Sequence, residues 1–339
     1  MIECVFTLDY EIYGNGRGSL RDLVFEPTQK LRTVFDRAGV KFVNFVEAVE
    51  LDQIERHSAD PAIRDVRRQI RQLHHEGHEI ALHLHPQWAN ARYQQGQWQL
   101  DYSEYNLCVL APERIQRIVD EALAWLRNVL ADSKFSPVSF RAGNWLFQPT
   151  APAARVLASC GLKIDSSVFK GGLQHQHGLD YRPALRNGWH WRFSDDVNVP
   201  DSSGGLLELP IYTEMVPFWS MLTRKRVGLQ QKSSPTNGRA SPNGGPDRPT
   251  SRLRDFLRLR YPKKLDFCRM TLGEMTGMVE RVRRADEQTP TVLKPLAAIG
   301  HTKDLVDLDS IEAFLIWLKD RGIPVSTLAS VYRRCTSVG

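Results

Sequence analysis

Gly77-His78-Glu79-Ile80-Ala81-Leu82-His83-Leu84-His85-Pro86-Gln87-Trp88 is the stretch on which the reading of this chain turns. It follows a helical pattern, Ala62–His75, that stops at Gly77, and it predicts a strand over Glu79–His83. Side chains two apart on extended backbone share a face, so His83 and His85 point one way while Leu82 and Leu84 point into apolar packing. Imidazoles converging from one strand end are good ligands for zinc or another first-row metal. His74, His75 and His78 are read as a solvated helix end and turn.

Outward from this strand the chain alternates short apolar runs with helical patterns, the signature of an α/β fold with a mostly parallel sheet. The strands expected are Glu3–Leu8, Lys41–Val46, Glu79–His83, Val138–Arg141, Lys163–Ser166, Leu206–Ile211, Ala297–Gly300 and Pro324–Leu328. Helices are expected over Pro27–Ala38 with Gly39 as its stop, and over Ala62–His75, Pro112–Leu130, Ala151–Ser159 and Ser310–Arg321. A dinucleotide fold fits poorly: Gly14, Gly16 and Gly18 follow an acidic cluster, and no convincing helix follows them at once. A barrel places its chemistry at the carboxyl ends of its strands.

Five strand ends carry polar groups. Thr7-Leu8-Asp9-Tyr10-Glu11 runs from an apolar strand into two carboxylates on one face, which repel unless a cation or proton lies between them; a pair of exposed acids is the other reading. His83 and His85 form the second group. Arg141, leaving its strand beside Ala142 and Gly143, can bond a carboxylate in fork geometry. Asp165 and His301 end two further strands. Tyr10, Trp88 and Trp145 lie beside these groups, either as a sugar-binding platform or as core and rim aromatics. His175 and His177 are assigned to a solvent loop.

With these residues in order, the chain resembles the polysaccharide deacetylase family, the NodB-homology group known as carbohydrate esterase family four. All five family motifs have a counterpart across roughly residues 5–330. The resemblance implies an irregular (β/α) barrel of seven to eight mostly parallel strands. It implies a divalent metal, zinc, held by Glu11, His83 and His85, with Asp9 as general base oriented by Arg141; the exchange of roles between Asp9 and Glu11 stays open, since either carboxylate can bind metal. It also implies that His301 is the general acid, paired with Asp165, and that an acyl group, N-acetyl above all, is removed from a sugar or polysaccharide precursor. Two positions depart from the family pattern. The acid pair is spaced by Tyr10, and the second motif histidine falls on Gln87, leaving His85 to supply the imidazole. Two alternatives stay open: a hydrolase of another small amide on the same barrel, and a catalytically inactive carbohydrate-binding relative.

The 339 residues are read as one domain interrupted over 224–264. That segment holds twelve Lys/Arg against two Asp, more than the whole +6 of the chain, so the remainder is mildly acidic. Its Ser, Pro, Gly and Asn cannot bury a core, which predicts a disordered insertion; its arginine-rich end allows peripheral contact with an anionic membrane. Nucleic acid is not an expected partner, since no recognition motif accompanies the charge. Five widely spaced cysteines argue against a disulfide framework or a cysteine zinc site, and the N-terminus does not read as an export signal. The expected location is cytoplasmic, at a membrane surface where the basic segment engages one.

Overall fold

A computed structural model describes residues 1–221 and 259–336. The apolar runs form strands because they are buried on both faces, the condition under which parallel pairing is stable. In β1 (Ile2–Tyr10) every residue from Glu3 onward is buried. The sheet continues with β2 (Val43–Glu47), β3 (Glu79–Leu84), β4 (Ser139–Ala142), β5 (Ile164–Asp165), β6 (Trp191–Phe193) and β7 (Leu206–Glu208). After a hairpin of β8 (Thr213–Val216) and β9 (Tyr261–Lys264) come β10 (Lys294–His301) and β11 (Val325–Ser326).

Strand order in the sheet is β6-β7-β5-β4-β3-β2-β1-β10, with β11 also on β1. Its pairs are parallel apart from β6 with β7. Past β7 the chain reaches Ile211, which bridges Phe169 on one side and Ala297 of β10 on the other. The curled sheet therefore meets itself through single bridges. This is the irregular (β/α) barrel that the sequence predicts, and each of the eight expected strands coincides with one of its members.

Alternation sorts the strands into two packings. Cys4, Phe6, Leu8 and Tyr10 face the surrounding helices in the large core. Val5, Val43, Phe45 and Ala81 form a smaller inner cluster, completed by Leu328 and Val331 of the C-terminal helix Leu328–Thr336 at the amino ends of the strands. The helices expected at Pro27–Ala38, Pro112–Leu130 and Ala151–Ser159 are present to within a residue. The first stops at Gly39, whose φ of 70° lies in the left-handed region that glycine enters freely. Helices over Ala48–Arg56 and Leu272–Asp286 were not anticipated.

Two expectations change here. Tyr261–Lys264, assigned by composition to the basic insertion, is strand β9, with Lys264 opposite Thr213 and Tyr261 opposite Val216. His78, expected in a solvated turn, is buried, and its Nδ1 accepts from the Phe42 amide at 3.2 Å. The disorder expected for 224–258 concerns residues outside those described. All five cysteines are free thiols, with Cys4, Cys108 and Cys268 buried. Among the described residues no helix is long and apolar enough to cross a membrane.

Candidate active site

Strand register assembles the site. In the parallel ladders Asp9 lies opposite His301, Glu47 opposite His83, and His83 opposite Arg141. The inward phase that puts Val5 and Phe45 in the inner cluster carries Asp9, Glu47, His83 and Arg141 to the carboxyl end of the same column.

Glu11, His83 and His85 come together, all buried, their ligand atoms within 4.8 Å of one another. Glu11 Oε2 is 3.4 Å from His83 Nε2 and 2.9 Å from His85 Nε2. His83 Nδ1 lies 2.9 Å from the Arg141 carbonyl, which accepts its proton and turns Nε2 towards Glu11. His85 Nδ1 faces the side-chain amides of Gln87 at 3.2 Å and Asn144 at 3.3 Å. A half-turn of either amide presents its carbonyl to an Nδ1–H, the arrangement that frees Nε2 for a metal. Gln87 is thus an outer contact of His85. Close approach is needed on this side: a Cβ on Gly143 would lie 2.7 Å from the His85 ring.

Arg141 is fully buried over the Phe45 ring. It donates to Asp9 Oδ1 at 2.6 Å, to Thr7 Oγ1 at 2.9 Å and to the Ser166 carbonyl at 2.9 Å. Burial alone would raise the Asp9 carboxyl; Arg141 first, then His83 and His301, outweigh it and hold it below the ordinary range. Glu11 is held well below its usual value, against burial, chiefly by Lys303, whose ammonium donates to Glu11 Oε1 at 2.7 Å. His83 resists burial and is pushed up to about 9 by Asp9 and Glu11. Burial lowers His85 and His301. The His301 Nε2 lies 3.4 Å from Asp9 Oδ2.

Three expected assignments change. Asp165 does not pair with His301: its carboxylate accepts from Ser167 Oγ at 2.7 Å and lies across the ladder from Glu208, both acids being raised by burial. Among the described residues the carboxylates within ion-pair distance of His301 are those of Asp9 and, at 3.9 Å, Asp304. Tyr10 is core, because alternation turns it away from its acidic neighbours; its hydroxyl donates to Gln69 at 2.7 Å. Trp88 is also fully buried, its ring edge-on to Trp98 at 5.0 Å. Trp145 does lie at the site, partly exposed and 6.2 Å from the His301 ring. It and Asn144 have φ of 60° and 54°, strain that the surrounding packing must hold.

Sequence reading passed over several members. Glu47 ends β2, accepts from the His85 amide at 2.7 Å, and is pushed by burial up to about 8. Glu50 accepts from the Ile12 amide at 2.9 Å and is raised well above its usual value by burial. Glu47 carried the same mark as Asp9, an acid closing an apolar strand. Lys303 and Asp304 sit within three residues of His301, and Lys264 was hidden in the basic segment.

No protein-family model matches the chain, and no curated protein matches it. Solved structures do. A Mycobacterium smegmatis protein described as a polysaccharide deacetylase aligns over 98% of this chain and 89% of its own, at 13% identity and a TM-score of 0.51. The 4-alpha-glucanotransferase from Thermococcus litoralis aligns over 99% of this chain but 39% of its own, at 12% identity and a TM-score of 0.50. PuuE allantoinase aligns over 98% and 89%, at 10% identity and a TM-score of 0.48. A fold does not by itself imply a chemistry, so the site must carry the functional argument. In architecture, the chain has the irregular (β/α) barrel found in structures described as polysaccharide deacetylases.

Proposed function

We propose that this chain belongs to the polysaccharide deacetylase family and is a metal-dependent hydrolase that removes an acyl group, N-acetyl above all, from a sugar or polysaccharide precursor. The observation that carries the reading is the convergence of Glu11, His83 and His85 beside an Asp9–Arg141 pair and His301. A divalent cation, zinc first, suits these donors. One carboxylate oxygen and two Nε2 atoms face one another in a buried cluster, and His83 is already oriented by a carbonyl. When bound, such a cation polarises a carbonyl and makes water more acidic.

The chain's own groups supply the proton path. Asp9, kept ionised by Arg141, accepts a proton from the attacking water. His301 Nε2, 3.4 Å away, relays a proton to the leaving nitrogen, so that water and amide become carboxylate and amine. Trp145 offers the sugar an aromatic wall. The twelve Lys/Arg of 224–264 support a cytoplasmic, membrane-surface location where lipid- or nucleotide-linked sugars are made.

A second reading, an inactive carbohydrate binder, is favoured by Lys303, whose ammonium already neutralises Glu11. Bound metal and acetate release from N-acetylated sugars, with and without chelator, separate the two. We expect one equivalent of metal and chelator-sensitive release. Stoichiometric metal without release of acyl group from any sugar tested would sink the hydrolase reading.

A further inference from the structure

Beside the His301–Asp9 pair stands a cation that neither the metal cluster nor the proton path uses. Lys264 closes β9 with its Nζ 3.0 Å from the centroid of the Trp145 ring and 4.9 Å from that of Phe169. The neighbouring Lys263 has a carboxylate of its own, Glu274 at 2.6 Å. The Lys264 ammonium has no hydrogen bond or ion pair among the described residues. The nearby acids are committed elsewhere: Asp9 to Arg141, and Asp266 to the amides of Cys268 and Arg269. Arg141 and Arg269 add positive charge to the surroundings.

A half-buried ammonium resting on aromatic faces, with no carboxylate partner, gains from an oxyanion brought in by a ligand. Trp145 links Lys264 to His301, the residue that faces the leaving nitrogen, so such an anion belongs to the sugar and not to the departing acyl group. We propose that Lys264, seated on Trp145, is a specificity-determining residue that binds a carboxylate or phosphate on the substrate. This inference rests on the hydrolase reading of the site and narrows its substrate to an acidic N-acylated sugar. Burial, opposed by Asp266, lowers the Lys264 ammonium to about 7.

The test is calorimetric binding to the metal-loaded full chain. The ligands are N-acetylglucosamine, its uronic acid and its 1-phosphate. We expect at least one of the two anionic sugars to bind ten-fold or more tightly than the neutral one, and added salt to shrink that gap. The gap should close in Lys264→Met and return in Lys264→Arg. Which anion binds tighter identifies the group. Equal binding of all three sugars, failure of both anions to bind at millimolar concentration, or a gap that persists in Lys264→Met overturns the proposal. Acetate release is assayed separately. Selective binding without turnover would count against the hydrolase reading while leaving Lys264 its role.

Discussion

His83 and Arg141 are cross-strand partners, and they meet twice over: the Arg141 carbonyl fixes the His83 ring, while the Arg141 guanidinium holds Asp9. One residue thus orients both a proposed metal ligand and the proposed base. Replacing His83 with alanine removes the ligand itself, so metal content and activity should fall together. The expected loss exceeds the ~10–100-fold that an outer contact is worth. Metal analysis beside acetate release checks it; an active, metal-loaded variant would remove the model.

Arg141→Met leaves the Asp9 carboxylate buried without its partner. Breaking a buried pair from one side costs about 3–5 kcal/mol. Urea unfolding should show a loss of that order, and adding Asp9→Asn should recover part of it. A single variant as stable as the parent would mean that water enters and solvates Asp9.

Gln87→Ala tests the outer contact to His85. With its Nδ1 less firmly held, His85 should bind metal more weakly by about 10–100-fold in a chelator competition. Unchanged metal affinity would assign the orientation of His85 to Asn144 alone.

Acid should weaken the fold through His78. Burial lowers this imidazole from 6.5 to about 4. The unfolded chain therefore binds the extra proton first, and stability present above pH 6.5 is lost as pH falls towards 4. The integrated loss is about 3 kcal/mol. His78→Asn keeps an acceptor for the Phe42 amide but does not titrate, so its unfolding free energy should fall less steeply across that window. Parallel pH profiles for the two proteins would refute the assignment.

Much of this was legible in the sequence. Buried parallel strands are continuous apolar runs, so Glu3–Leu8 and Glu79–His83 marked themselves, and polar residues at their ends marked the site. The alternation that placed Asp9 and Glu11 together also implied that Tyr10 faced away, an inference the sequence allowed. Trp88 was harder, because a tryptophan looks the same in a core as on a platform, and only the short 3-10 turn Pro86–Trp88 swings it inward. The Asp165 pairing failed because a strand-end acid does not say which neighbour lies across from it; β5 runs beside β7, and the partner there is Glu208. The helix Leu272–Asp286 carried a capping box, Thr271 with Glu274, that glycines at 273 and 277 obscured. Lys264 was invisible because composition averages a strand end into the basic stretch before it.

The hairpin sets the place of Lys264 by strand pairing. Val216 stands across from Tyr261 on an antiparallel ladder, so residues 222–258 join two ends that the barrel already holds side by side. Lys264 is pinned opposite Thr213, so the ladder and not the basic stretch before it fixes where its backbone stands.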